Sequence, residues 1–300
     1  MSKKYLIGIL PIAAIIIGLL VLGGQDGEDK EASSKNNLIP VNSITHGHGL
    51  TVDVADSNKL YIATHHGLLV LANEKDLYRI GKNQDDFMGF SPHPTDPKVF
   101  YTSGHPATGG NLGFQKSEDG GLTWKKVSNG VNGPVDFHAM AVSPVNPNLI
   151  YGWYRGKLQR SNDGGNNWDA VDINFVIGSL VGDSKDENIV YATTPQGIMV
   201  SRNKGQEWQD LSDELKGIVV TSLAIHPQDP QKMVSFSEKL KLAKSTNQGT
   251  NWQKINETIN GEEILFIAFS KVNPSVVYAL THTNSLYKST NEGDSWTKIR

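Results

Sequence analysis

Nine histidines and no cysteine in a chain of 300 residues direct the search for chemistry. Without thiols there are no disulfides, thiolate nucleophiles, iron–sulfur clusters or Cys-ligated zinc, so a bound metal must rest on His, carboxylate, Met or carbonyl groups. Seven histidines fall in the short segments HGHG (46–49), THHG (64–67), SGHP (103–106), FHAM (137–140) and LTHT (280–283). The other two, His93 and His226, open HPTDP and HPQDP segments, where a turn role is expected. Imidazole is the commonest metal ligand and the commonest acid–base group near neutral pH. In an extended strand, His46 and His48 project to the same side, and His65, His105 and His138 complete a candidate ligand set. Such a set suits Zn, Cu, Ni or Fe, and Met88 or Met140 nearby tilts it toward copper. Asp136, Asp85 and Asp86 are the candidate carboxylates. They would ligate, orient a ligating imidazole, or act as the acid–base pair of a glycoside hydrolase, with Glu262 and Glu263 as other partners.

These residues are far apart in sequence, so only a particular fold can bring them together. A repeat supplies one. The octets SEDGGLTW (117–124), SNDGGNNW (161–168), SRNKGQEW (201–208), STNQGTNW (245–252) and STNEGDSW (289–296) share Ser-x-Asp/Asn-x-Gly-x-x-Trp, and their tryptophans are spaced 44, 40, 44 and 44 residues apart. Between octets recur an apolar strand (FHAMAVSP, VTSLAIHP, LFIAFSKV), a turn, and a second strand (LIYGW, IVYAT, VVYAL). A short third strand (KLQRS, GIMVS, SLYKS) precedes each octet, and a fourth follows its Trp. Four short strands in each unit of 40–45 residues describe a propeller blade. Two less regular units over residues 48–80 and 86–127 bring the count to six. The expected fold is all-β, a six-bladed propeller over residues 45–300.

Upstream, residues 5–24 form twenty positions without a charge, preceded by Lys3 and Lys4 and followed by Asp26, Glu28 and Asp29. A helix of that length spans about 30 Å, the thickness of a bilayer core. The flanking charges orient the remainder outside the cytoplasm. The expectation is one N-terminal transmembrane helix in segment 1–24, a polar tether over 25–44, and a propeller held at the cell membrane. A cleaved signal, and hence secretion, is the competing reading. Residues 38–44 add a strand to a blade edge or remain tether. The formal charge of -3, with no basic block, argues against a nucleic-acid partner.

Superimposing the blades ranks the candidates. HGLTV (48–52), MGFSP (88–92) and HAMAV (138–142) put His48, Met88 and His138 at one position, the mouth of the inner strand. LYIATHHG, FYTSGHPA and VYALTHTN align His65, His105 and His282 after the second strand, a slot that Arg155 takes in blade three. Blade six closes beside blade one, so one sector of the face opposite the octets collects these groups. Arg155, His282, Met88 and Met140 are candidate ligand-binding residues there.

The octets resemble the Asp-box of sialidase-like and sortilin-like propellers. In that motif Asp or Asn satisfies turn donors, Gly supplies positive φ, and Trp packs between strands, a stabilising role. The resemblance implies three arginines if the chain is a sialidase. Its five arginines (Arg79, Arg155, Arg160, Arg202 and Arg300) are poorly placed, and the family's Phe/Tyr-Arg-Ile-Pro motif is absent because Leu77-Tyr78-Arg79-Ile80 continues into Gly81. With HGHGL (46–50), ATHHGL (63–68), FMGF (87–90), SGHP (103–106) and VDFHAM (135–140), the segment 46–300 is similar to a bacterial Asp-box propeller family labelled glycosylhydrolase. The resemblance implies sugar hydrolysis by analogy only. The function expected is binding of a metal ion (Cu or Zn) or a small ligand at the His-rich face. The alternatives are a glycosidase-like hydrolase acting on a glycan there, a metal-free pocket, and a scaffold for an envelope protein.

Overall fold

A computed structural model describes residues 37–255, 259 and 261–300. The expected transmembrane helix over 5–24 and most of the tether lie outside the described residues. No helix among those described is long and apolar enough to cross a membrane.

Six antiparallel sheets follow one another in chain order, each built on a four-strand meander whose strands pair in sequence. The first strands are Gly47–Val52, Asp86–Pro92, Ala139–Val142, Ser179–Gly182, Val220–Ile225 and Ile264–Phe269. The second strands, such as Lys59–Thr64 and Val190–Thr194, are almost wholly buried on both faces. That explains their unbroken apolar runs in place of alternation. Six apolar clusters hold the ring together, one between each pair of neighbouring blades. Tyr61, Leu68 and Phe87 exemplify the seam between blades one and two, and Phe114, Phe137 and Ile150 the next.

The five octets make the same turn. In blade three, Ser161 Oγ accepts from Gly165 N at 2.8 Å and Asp163 Oδ1 accepts from Asn167 N at 2.9 Å. Gly121, Gly205, Gly249 and Gly293 repeat the first bond, and Thr123, Glu207, Asn251 and Ser295 the second. The amide of Asn167 holds the Asp163 carboxyl below the ordinary range. Gly165 has φ +88, and a Cβ there would lie 2.0 Å from a ring carbon of Phe114, so both torsion and packing demand glycine. Trp168, Trp208 and Trp296 each donate Nε1–H to the carbonyl of the octet glycine.

At that same end, the turn after each first strand is capped by a side chain. Asp53 and Asp183 accept from backbone amides two residues on, and Ser143 and Ser270 from amides three residues on. His93 and His226 do the same through Nδ1, receiving the amides of Asp96 and of Gln228 and Asp229. Both histidines are turn residues, as their sequence context indicates.

Two features extend the sequence reading. Leu38–Pro40 pairs with Asp76–Ile80 as a fifth, outermost strand of blade one, so the propeller begins before residue 45 and takes in part of the segment assigned to the tether. The reason is packing: Leu38 and Val41 rest on the clusters flanking blade one. The ring also closes without strand exchange. Gly47 N donates to Asn284 Oδ1 at 3.0 Å, Tyr278 hydroxyl donates to Ser57 O at 2.9 Å, and Arg300 Nη2 donates to Asn42 O at 2.7 Å.

Candidate functional site at the channel mouth

The inner strands do not run straight to the face opposite the octets. Register shifts between Gly47 and Gly49, Phe87 and Gly89, Val220 and Ser222, and Ile264 and Phe266 make His48, Met88, Thr221 and Leu265 β-bulge residues. A bulge re-aims the side chain it carries. His138 and Gly178, one residue before the first strands of blades three and four, bond to the second strands through Trp153 O and Thr193 O. The rim, from blade one to six, thus reads His48, Met88, His138, Gly178, Thr221 and Leu265.

The His-rich sector is assembled on this rim. His46 adopts φ 47, a left-handed conformation uncommon outside glycine, and its ring stacks on His65 at 4.6 Å. His65 sits in a tight turn between the second and third strands. Thr64 Oγ1 donates to Gly67 O there and accepts from His66 N. Blade four builds the same turn with Thr194, Gly197 and Gln196. Blade one therefore mounts its imidazole on a standard piece of the fold. His48 Nε2 lies 3.3 Å from the ring nitrogens of His65, and one nitrogen from each of His46, His48 and His65 falls within a span of 4.8 Å. Two imidazole nitrogens bound at about 2.0–2.1 Å to one tetrahedral zinc stand roughly 3.3 Å apart.

Asp86 is the hub of the cluster. It is buried, begins the first strand of blade two, and pairs with His105 across the sheet. Its Oδ2 makes a close contact with His65 Nδ1 and lies 3.5 Å from His105 Nε2; its Oδ1 is 3.5 Å from His48 Nε2 and has no hydrogen-bond partner. Gly104 makes this possible, since a Cβ there would fall 1.8 Å from the Asp86 carbonyl. Burial, reinforced by His65, His46 and His138, pushes the His48 pKa down to about 4 against the pull of Asp86. Burial thus favours the neutral ring of His48, the form able to coordinate a metal.

In the next blade His138 Nε2 bonds Asp136 Oδ2 at 3.2 Å, which raises the His138 pKa despite partial burial. Asp136 is itself buried, with its Oδ1 unpartnered. Met88 stands on the rim, and Met140 lines the channel below. The structure thus brings together His46, His48, His65, His105 and Asp86, and sets Asp136 and His138 beside them. Other candidates make their contacts elsewhere. Asp85 closes a local turn with Asn83, the Arg155 guanidinium rests on Tyr154, and His282 Nδ1 accepts from Glu263 N. Glu262 is taken up by the hydroxyls of Thr281, Thr283, Ser285 and Tyr287.

Beneath the rim runs a central channel of about 330 Å³. Its walls include Leu50, Phe90, Met140, Leu180, Leu223 and Phe266. At the octet end, Lys271 Nζ of blade six donates to Pro94 O of blade two at 2.6 Å. The histidines and Asp86 stood out in sequence; the channel did not. Extending the three-blade superposition to GSLVG (178–182), TSLAI (221–225) and LFIAF (265–269) would have shown that the other half of the rim is small or apolar.

Comparison with known proteins supports the fold. The sequence profile of the Sortilin-Vps10 family (sortilin, neurotensin receptor 3) matches residues 240–300. A GH74 enzyme of Niastella koreensis superposes with a TM-score of 0.58 at 16% identity, covering 83% of this chain and 46% of that one. The GH74 xyloglucanase of Xanthomonas campestris gives 0.57 at 18%, covering 87% and 46%. YCF48 of Cyanidioschyzon merolae gives 0.55 at 16%, covering 87% of both chains. This chain spans less than half the length of the two GH74 proteins. None of the curated proteins matches it by sequence. In fold, it is similar to the sialidase- and sortilin-like propellers.

Proposed function

We propose that this protein binds a transition-metal ion at the blade-one edge of its channel mouth, through His46, His48 and His65, with Asp86 as a carboxylate ligand or as the group that orients His65. The observation that carries this reading is one buried carboxylate among three imidazoles, with an oxygen that no donor satisfies. A buried carboxylate oxygen left without a donor is costly, and a cation at the convergence of these groups removes the cost. Nitrogen and carboxylate donors suit zinc, and Met88 beside His48 on the rim favours copper. The ion would sit outside the cytoplasm if residues 5–24 anchor the chain in a membrane.

Elemental analysis of the segment from residue 37, purified without a His tag, tests the reading. Near-stoichiometric Zn or Cu in the parent, lost on His48→Ala with His65→Ala, is expected. A folded parent that neither retains nor takes up metal sinks it.

A second reading, a glycosidase-like hydrolase, draws on two buried aspartates at one mouth, Asp86 and Asp136, each with a free oxygen, and on the GH74 neighbours. Paired carboxylates are the machinery of glycoside hydrolysis. Asp136→Asn should then abolish turnover on a glycan panel that includes xyloglucan; a parent inactive on that panel counts against it.

A further inference from the structure

The metal reading leaves the channel unused, yet His48 belongs both to the imidazole cluster and to the channel wall. At about 330 Å³ the space lies at the lower end of small-molecule sites, roughly 300–1,000 Å³, and far exceeds the voids a packed interior tolerates. Its chemistry is divided along its length. At the mouth stand His48, Met88 and His138; below them the walls carry Leu50, Phe90, Met140, Leu180, Leu223 and Phe266, with Thr51, Ser179 and Ser222 between them. The floor is spanned by Lys271, whose ammonium is committed to the Pro94 carbonyl. Around the mouth the division recurs. Two residues before the rim position stand His46, Asp86 and Asp136 in blades one to three, but Val176 and Val219 in blades four and five, 53% and 39% exposed.

We infer that the site takes a small amphipathic molecule whose metal-coordinating head, such as a carboxylate, meets the ion at the imidazole cluster while its unbranched apolar tail descends the central channel. This rests on the metal reading for the head and on the channel walls for the tail. The large apolar side chains that every blade contributes to the walls give an alkyl chain contact along the depth. The exposed valines extend the apolar surface on the side of the mouth away from the imidazoles.

Straight-chain alkanoates from acetate to octanoate, titrated calorimetrically into zinc-loaded and zinc-free protein, test the inference. Affinity should rise about fourfold per methylene, the equivalent of about 0.8 kcal/mol. It should be weaker throughout in the zinc-free protein. Ala268→Phe, which fills the channel away from every proposed ligand, should flatten the chain-length dependence while zinc content stays unchanged. A parent whose affinities are independent of chain length overturns the channel assignment even if zinc is retained. Equal affinities with and without zinc overturn the head-group assignment, and loss of zinc binding by the folded parent overturns the metal reading itself. The chain-length series on the parent decides the channel question should Ala268→Phe fail to fold.

Discussion

Blades one to three and blades four and five share one backbone plan and carry opposite chemistry at the mouth. The turn after the second strand is built in the same way by Thr64 and Thr194, yet it presents His65 in one blade and Pro195 in the other. The bulge that aims His48 also aims Thr221. Two residues before the rim, buried Asp86 and Asp136 face exposed Val176 and Val219. The comparison teaches that the blade plan itself does not require imidazoles at these positions. They are mounted on positions the fold provides in every blade, so the site can be altered with the scaffold left standing.

The largest effect that would break this comparison is expected at the proposed metal site. His48→Ala with His65→Ala removes two of three imidazoles and should weaken metal affinity by on the order of 100-fold or more. The apo-protein should stay folded but melt at a lower temperature, because buried Asp86 loses its His65 partner; a collapse of the fold would show that the cluster is structural. Next in size, Gly165→Ala should cost about 2–4 kcal/mol, because it combines positive φ with a clash against Phe114. Chemical denaturation measures this, and metal stoichiometry in the surviving folded fraction should be unchanged.

A smaller effect depends on pH. Burial lowers the pKa of His226, against the pull of Glu292, and the neutral ring is the form that accepts the amides of Gln228 and Asp229. Its contribution is complete above the unfolded-state value of about 6.5 and is lost as pH falls through the lowered folded-state value. His226→Ser, which installs the capping residue of blades three and six, should make the acid-side fall in stability shallower in denaturant titrations below pH 6.5. An unchanged slope would contradict the turn role. The smallest effect sharpens the contrast from the other side. Val176→Asp places a carboxylate at the blade-four equivalent of Asp136 and should change stability by less than about 0.5 kcal/mol without adding a second equivalent of metal.

Most of the architecture was legible because the octet repeats five times with a fixed set of hydrogen-bonding and positive-φ residues, each of which the turn uses. His48, His65, His105 and His138 were legible because imidazole is scarce and stood at aligned positions. The choice between Asp85 and Asp86 was not legible, since it depends on a pairing register that puts Asp86 opposite His105 and turns Asp85 toward Asn83. His282 and Arg155 occupy the same slot as His65, but the His282 loop is two residues longer and Arg155, in a loop of equal length, adopts φ 49, and sequence alignment does not measure where a loop tip lands. The channel escaped notice because its apolar lining looks like ordinary strand core until six strands are arranged around an axis.

The bond from Gly47 N to Asn284 Oδ1 joins the last blade to the first, and Gly47 is the residue between His46 and His48. The clasp of the ring and the hinge of the two imidazoles are therefore one peptide segment. Any ion gripped there also fastens the clasp, so loading should slow hydrogen exchange at the Gly47 amide beyond the general protection a ligand confers. Conversely, prising blade six from blade one would spill the ion before any other blade had come apart.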